Sequence, residues 1–301
     1  GIGYKFADQA RMLRQFASFA EIAGDTSISA NRMIEWAATA PSVQSSREWL
    51  RVVRNFAVSM HAEDDRNEVP PRDAFGRGRR PRPRPHILSA ADIERIMHAA
   101  LSLSPVASIT PYTYHHMIGL LAATGMRVSE AVALLESDLT KDGLLIRETK
   151  FRKSRLVPIH PTTRKALSEY LALRRRIGGP DPHLFVISTG ESPDAASVTR
   201  AFIKLARQVG VRDAEGRGPR LHDLRHSFAV RSLEQCGNNR ADINRHMLAL
   251  STYLGHACVT DTYWYLEDLT DSLGLDAALQ KVRQRLETTI FKRMESRAKI
   301  L

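Results

Sequence analysis

GLLIRETKFRKSRLVPIH, residues 143–160, is where the helical character of this chain gives way to strands. GLLIRET and SRLVPIH, rich in Leu, Ile and Val, flank a short basic turn from Lys150 to Lys153, the pattern of an antiparallel hairpin. Lys150, Arg152, Lys153 and Arg155 cluster there. A protruding basic hairpin can enter a nucleic acid groove; the same charges also suit a solvated sheet edge that lysines keep from aggregating.

Around this hairpin the sequence reads as helix. Phe6, Ala10, Leu13, Phe16 and Ala20 recur at spacings of three and four, and Leu50, Val53 and Ala57 repeat that pattern within residues 46–60, so the first seventy residues predict a compact module of three or four helices. Ser89 with Asp92 forms a capping-box signature that opens a helix through about Leu101. Thr110-Pro111 starts another that stops at Gly125, because Pro suits the first helical position and Gly the residue past the end. Further helices are expected at 161–177, at about 194–208 and from about His222. The fold class is therefore mostly α with a small antiparallel sheet.

The sharpest break in composition is VPPRDAFGRGRRPRPRPH, residues 69–86, which holds five prolines and six arginines. Each proline removes a backbone donor and fixes its own φ, so this segment predicts a basic extended linker and neither helix interior nor central strand. It divides a helical domain, 1–68, from a larger domain, 87–301.

The 301 residues carry 44 Lys and Arg against 33 Asp and Glu, a formal charge of +11, and such a surface attracts polyanions. Two cysteines, Cys236 and Cys258, are too few for a disulfide framework or a cysteine-built zinc site, so a reducing cytoplasmic setting is expected. The longest apolar stretches fall short of the ~20 residues that span a bilayer, and the first residues have no signal-peptide pattern. Neither membrane association nor secretion is expected.

Four short segments carry chemistry. TGMRVSE, residues 124–130, places Arg127 where one helix ends and another begins; its guanidinium and the local amides suit a phosphate, and its alternative partner is Glu130. The hairpin supplies Lys150, with Lys153 in the same turn. HDLRHSF, residues 222–228, places His222 and Arg225 three apart, on one helix face. His226 lies four after His222, but Asp223 stands where the metalloprotease motif has Glu and Arg225 would adjoin the cation, so no metal is expected. The fourth is LGH, residues 254–256, followed nine residues later by Tyr265.

Taken in order, TGMRVSE, a lysine in a hairpin ending RLVP, HDLRHSFA and LGH followed by Tyr at nine residues resemble the tyrosine site-specific recombinases, the phage integrase family. The resemblance covers roughly residues 86–270. It implies a two-domain architecture, a helical DNA core-binding domain followed by a mixed α/β catalytic domain, and an active site of Arg127, Lys150, His222, Arg225, His256 and Tyr265. Counting back from RLVP favours Lys150 over Lys153. It further implies cleavage through a 3′-phosphotyrosine, no cofactor and no metal. The implied partners are double-stranded DNA with inverted-repeat sites and three further copies of the chain in a homotetramer. The tail after Tyr265 would pack on a neighbouring subunit. Ala257 stands where Ser is more typical, and Trp264 adds a bulky ring beside the nucleophile.

Two other readings use the same residues: a type IB topoisomerase that rejoins the original ends, and a non-catalytic DNA-binding relative. Within STYLGHACVTDTYWYL, residues 251–266, a helix over 259–269 would turn Tyr263 toward Val259 and Leu266 and Tyr265 away, about 200° round the axis at ~100° per residue. Tyr263 is then the packing ring, and Tyr253 closes the preceding helix against the core.

Overall fold

The computed structural model describes residues 7–76, 85–147, 154–177, 179–236, 240–256 and 262. The chain divides into two compact units, Gly1–Arg82 and Pro83–Leu301.

Among its described residues the first unit holds three helices, α1 (Ala7–Ile22), α2 (Ala30–Ala38) and α3 (Val43–Glu63). Ser42 caps α3 by accepting from the Ser45 amide, which satisfies one of the donors a helix start leaves open. The faces read from the sequence meet in a core of Phe16, Met33, Trp36, Ala37, Leu50, Val53 and Ala57. Trp36 anchors it, stacked on Trp49 at 4.8 Å and edge-on to Phe16 at 5.6 Å. Residues 69–76, the start of the proline-rich stretch, lie against this unit. Val69 and Phe75 pack on its core, Arg54 donates to the Pro70 carbonyl, and Arg47 donates twice to that of Phe75. Residues 77–84 lie outside the described residues.

In the second unit α4 (Ala90–Ala100) opens with the capping box of Ser89 and Asp92. The next helix, α5 (Thr110–Thr124), is buried on nearly every side and ends at Gly125 with φ +60°. A short α6 (Val128–Val132) and a 3₁₀ turn (Glu136–Asp138) lead into the sheet. The sheet has three antiparallel strands in the order β1 (Leu139–Thr140), β2 (Gly143–Ile146), β3 (Arg155–Val157), with Leu144 opposite Val157 and Ile146 opposite Arg155. The third strand, β1, is two residues long and was not legible as a strand. Pro158 follows β3 directly and has no N–H to continue the ladder.

Helices α7 (Pro161–Ile177), α8 (Ala195–Gln208), α9 (Asp223–Glu234) and α10 (Arg240–Leu254) complete the described elements. Helices α4, α5, α7 and α8 share one core with the sheet, while α9 and α10 pair through Val230, Leu233, Ile243, Met247, Leu250 and Leu254. The unit is mostly helical with a small antiparallel sheet.

Candidate active site

The site forms where three turns meet: the end of α5, the start of α9 and the end of α10. Arg225 ties them together. Its side chain is buried, and its two terminal nitrogens donate to the carbonyls of Gly125, at 2.8 Å, and Leu254, at 2.9 Å. Those carbonyls stand two residues before Arg127 and two before His256. Both lie at helix C-termini, where the macrodipole favours a cation. The sequence spacing that joined His222 to Arg225 therefore also fixes the other two segments.

Glycine is required at both turns. A Cβ on Gly125 would stand 2.6 Å from Phe228 Cδ1, and one on Gly255, whose φ is +68°, would stand 2.7 Å from Arg155 Nη1. TGMR and LGH thus hold glycine because other side chains cross their backbones.

Arg127 sits at the N-cap of α6 and is about one-third exposed. Its guanidinium reaches Glu130 Oε1 at 2.9 Å and the Gly255 carbonyl at 3.3 Å, and its amide donates to Glu130 Oε2. The helix-terminus argument for anion binding needs correction, since α6 has only five residues and too few aligned peptides for a strong dipole. The charge at this position is that of Arg127 itself. The partner read from sequence as an alternative, Glu130, is present, yet Arg127 does not hold it alone.

Arg155 donates to both Glu130 oxygens, at 3.0 and 2.8 Å, and through Nε to the Tyr253 carbonyl at 2.9 Å. Its side chain is 12% exposed. The expectation that Arg155 joins a protruding basic tip is therefore wrong. The period-two signal was available: Val157 is buried and Leu156 is exposed, so Arg155 shares the inward face with Val157. Burial raises the cost of charging Glu130, but hydrogen bonds from Arg155 and the Arg127 amide, with the charge of both guanidiniums, hold its carboxyl below the usual range.

His222 is exposed at the N-cap of α9, and His226 is buried one turn on, its ring edge-on to that of His222 at 4.9 Å. Desolvation, then the positive charge of Arg225, lowers the pKa of His222. Desolvation and His222 bring His226 down to about 4. His256 is held at about 3 by desolvation, then by Arg225, Arg127 and Arg155. Its Nδ1 lies 2.7 Å from the hydroxyl of the buried Thr262, a residue the sequence reading passed over. Across the described residues of the site four guanidiniums, of Arg127, Arg155, Arg220 and Arg225, face two carboxylates, Glu130 and Asp223, with Arg220 bound to both Asp223 oxygens. Three imidazoles that stay neutral near pH 7 complete a cluster with net positive charge and hydrogen-bonding capacity, suited to a phosphodiester.

Arg127, His222, Arg225 and His256 are thus brought together. Lys150, Lys153, Tyr263 and Tyr265 lie outside the described residues. Tyr253 stacks on Phe228 at 5.5 Å, and its hydroxyl donates to the Pro158 carbonyl. Among the described residues no group of three or more His, Cys, Asp or Glu could hold a metal ion, and no helix is long and apolar enough to cross a membrane.

Comparison with known proteins places this pocket in context. Residues 86–271 match the sequence model of the phage integrase family. The chain is 37% identical over 299 residues to y4rB of Sinorhizobium fredii, which carries an integrase/recombinase name, covering 95% of this chain and 93% of that protein. It is 30% identical over 251 residues to the tyrosine recombinase XerD of Brucella suis, covering 78% and 74%. Among solved structures, a lambda integrase dimer bound to a COC′ core site matches with TM-score 0.60 at 17% identity, over 86% of each chain. XerH bound to its difH substrate before cleavage matches with TM-score 0.61 at 18% identity, over 90% of this chain and 79% of that one. These structures share its fold, and the chain belongs to the phage integrase family, the tyrosine recombinases.

Proposed function

We propose that the chain is a site-specific recombinase that cleaves and rejoins double-stranded DNA through a 3′-phosphotyrosine, with Arg127, Lys150, His222, Arg225, His256 and Tyr265 as its catalytic residues. The observation that carries this reading is the convergence of Arg127, Arg225, His222 and His256, from three separate sequence motifs, on one positively charged pocket.

The chemistry follows from the groups. A tyrosine with an ordinary pKa of ~10 is about one part in a thousand ionised at neutral pH, so its oxygen needs a base. His222 serves, because its lowered pKa keeps it neutral and able to accept a proton. The Tyr265 oxygen attacks phosphorus while its proton passes to His222. The bond from phosphorus to the 5′ oxygen breaks, and Lys150 protonates that oxygen. Arg127 and Arg225 neutralise the charge that grows on the non-bridging oxygens. With the Thr262 hydroxyl 2.7 Å from Nδ1 of His256, the tautomer in which Thr262 donates would leave the ring proton on Nε2 for those same oxygens. A 5′ hydroxyl from a partner strand then displaces the tyrosine, so the energy of the broken bond is kept in the phosphotyrosine and no nucleotide cofactor is needed.

The helical unit would serve as the core-binding domain and the larger unit as the catalytic domain; the linker expected at 69–86 is shorter at its start, because residues 69–76 pack on the helical unit. Four copies on two paired sites, each an inverted repeat, would carry out the exchange in the cytoplasm. The test is a plasmid bearing two copies of a site that the protein selects from random-sequence DNA. Exchange between the two copies supports recombination. Relaxation without site preference would instead identify topoisomerase chemistry, and binding without either product a non-catalytic relative.

A further inference from the structure

Arg155 is absent from the proposed catalytic set, yet it touches two of the segments that carry catalytic residues, the one with Arg127 through Glu130 and the one with His256 through Tyr253 and Gly255. Its Nη1 and Nη2 take one Glu130 oxygen each, and those same oxygens receive the Arg127 guanidinium and amide. Its Nε holds the Tyr253 carbonyl, three residues before His256. The guanidinium also lies so close to Gly255 that a Cβ there would meet three of its atoms, Nη1, Cζ and Nε, at 2.7, 2.9 and 3.2 Å. With all three nitrogens engaged and the side chain 12% exposed, Arg155 is turned away from solvent.

We propose that Arg155 is a positioning residue for strand cleavage: from strand β3 it fixes the Arg127 guanidinium through Glu130 and fixes the turn that presents His256. This inference rests on the recombinase reading above.

Two physical points support it. A carboxylate buried beside a single arginine can pivot about one contact, whereas Glu130, gripped by Arg155 and Arg127 together, has both oxygens fixed. Arg127 is then held on Glu130 with its other terminal nitrogen directed to Gly255, and the rotamer is set before any DNA arrives. Lysine cannot reproduce this, because one ammonium cannot span two carboxylate oxygens and a carbonyl in the plane of a guanidinium fork.

The experiment compares the unaltered chain with Arg155→Met, Arg155→Lys, Glu130→Gln and the Glu130→Gln/Arg155→Met double variant. The probe is a nicked duplex carrying a site that the protein selects from random-sequence DNA. Equilibrium binding, the rate of covalent adduct formation at saturating DNA and the melting midpoint are measured. Arg155→Met is expected to bind with near wild-type affinity but to form adduct on the order of 100-fold more slowly, the loss that a misplacement of about 1 Å produces. Arg155→Lys is expected to recover part of that rate. In the Glu130→Gln background, removal of Arg155 is expected to cost less than it does in the unaltered chain, since the two act in series. Full-rate cleavage by Arg155→Met overturns the inference, as does loss of binding in proportion to cleavage, or an undiminished loss in the Glu130→Gln background. If Arg155→Met does not fold, Arg155→Lys decides: slowed cleavage with intact binding supports the inference, and wild-type cleavage overturns it. No adduct from the unaltered chain overturns the recombinase reading together with this inference, whereas an adduct formed equally well without Arg155 overturns this inference alone.

Discussion

Arg225→Ala separates two kinds of phosphate-binding arginine. A cation that only waits for its ligand repels its neighbours, so its removal should leave the free protein as stable or more so. Arg225 is built in differently. It is 2% exposed and donates to two carbonyls, of Gly125 and Leu254, at the ends of α5 and α10. Removing it leaves both acceptors facing a buried space, at about 1–3 kcal/mol each. Relief of repulsion from Arg127 offsets part of that, for a net loss of about 2–4 kcal/mol. For a domain of roughly 200 residues this lowers the melting midpoint by about 5–15 °C. Circular dichroism melts of the DNA-free protein, beside a binding assay on a selected site, read the effect directly. Arg225→Lys reaches one carbonyl and should fall between the two. A midpoint for Arg225→Ala that is unchanged or raised would refute the claim that this arginine joins the three turns of the site.

Three further outcomes follow from the same geometry. His226, at about 4, and His256, at about 3, titrate well below the ordinary histidine value of 6.5, so the unfolded chain binds more protons between those values. Stability is complete above about pH 6.5 and should fall as pH drops toward 4, by about 3 kcal/mol from His226 alone, with His226→Gln flattening the slope in urea titrations at several pH values. Gly125→Ala combines a left-handed φ with a 2.6 Å approach to Phe228, and should cost about 2–4 kcal/mol in the same assay. Tyr263→Phe should leave adduct formation largely unharmed, and a dead variant would mean that the nucleophile is Tyr263 and not Tyr265.

Local signals in the sequence carried much of the fold. Ser89 with Asp92, Thr110-Pro111 and Gly125 each act within a turn or two of the chain, and each marks a boundary where the structure has one. Helix α10 was harder to read, because its buried residues, Ile243, Met247 and Leu250, which pack with α9, are interrupted by charged and polar residues. Strand β1 offers two residues and no pattern at all.

Within the site, residue identity was legible and pairing was not. The grouping of Arg127, His222, Arg225 and His256 was implied by the resemblance of their motifs to the tyrosine recombinases, but the bonds from Arg225 to Gly125 and Leu254 cross 100 and 29 residues. Arg155 shows the same limit. Its sequence neighbours are basic and invite a surface reading, while its partners, Glu130 and Tyr253, lie 25 and 98 residues away. Only the alternation with Val157 pointed inward, and three residues of strand give that signal little weight.

The central claim is that Tyr265 becomes covalently joined to DNA in a pocket that uses arginine and histidine in place of a metal. The most direct measurement incubates the protein with a nicked duplex carrying its selected site in the presence of EDTA. The trapped adduct is then digested, and mass spectrometry locates the modified residue. The account predicts a nucleotide bound to the Tyr265 oxygen through a 3′ phosphate, at full yield in EDTA, and no adduct from Tyr265→Phe. An adduct on any other residue, one that persists in Tyr265→Phe, or one that requires a divalent cation would contradict it.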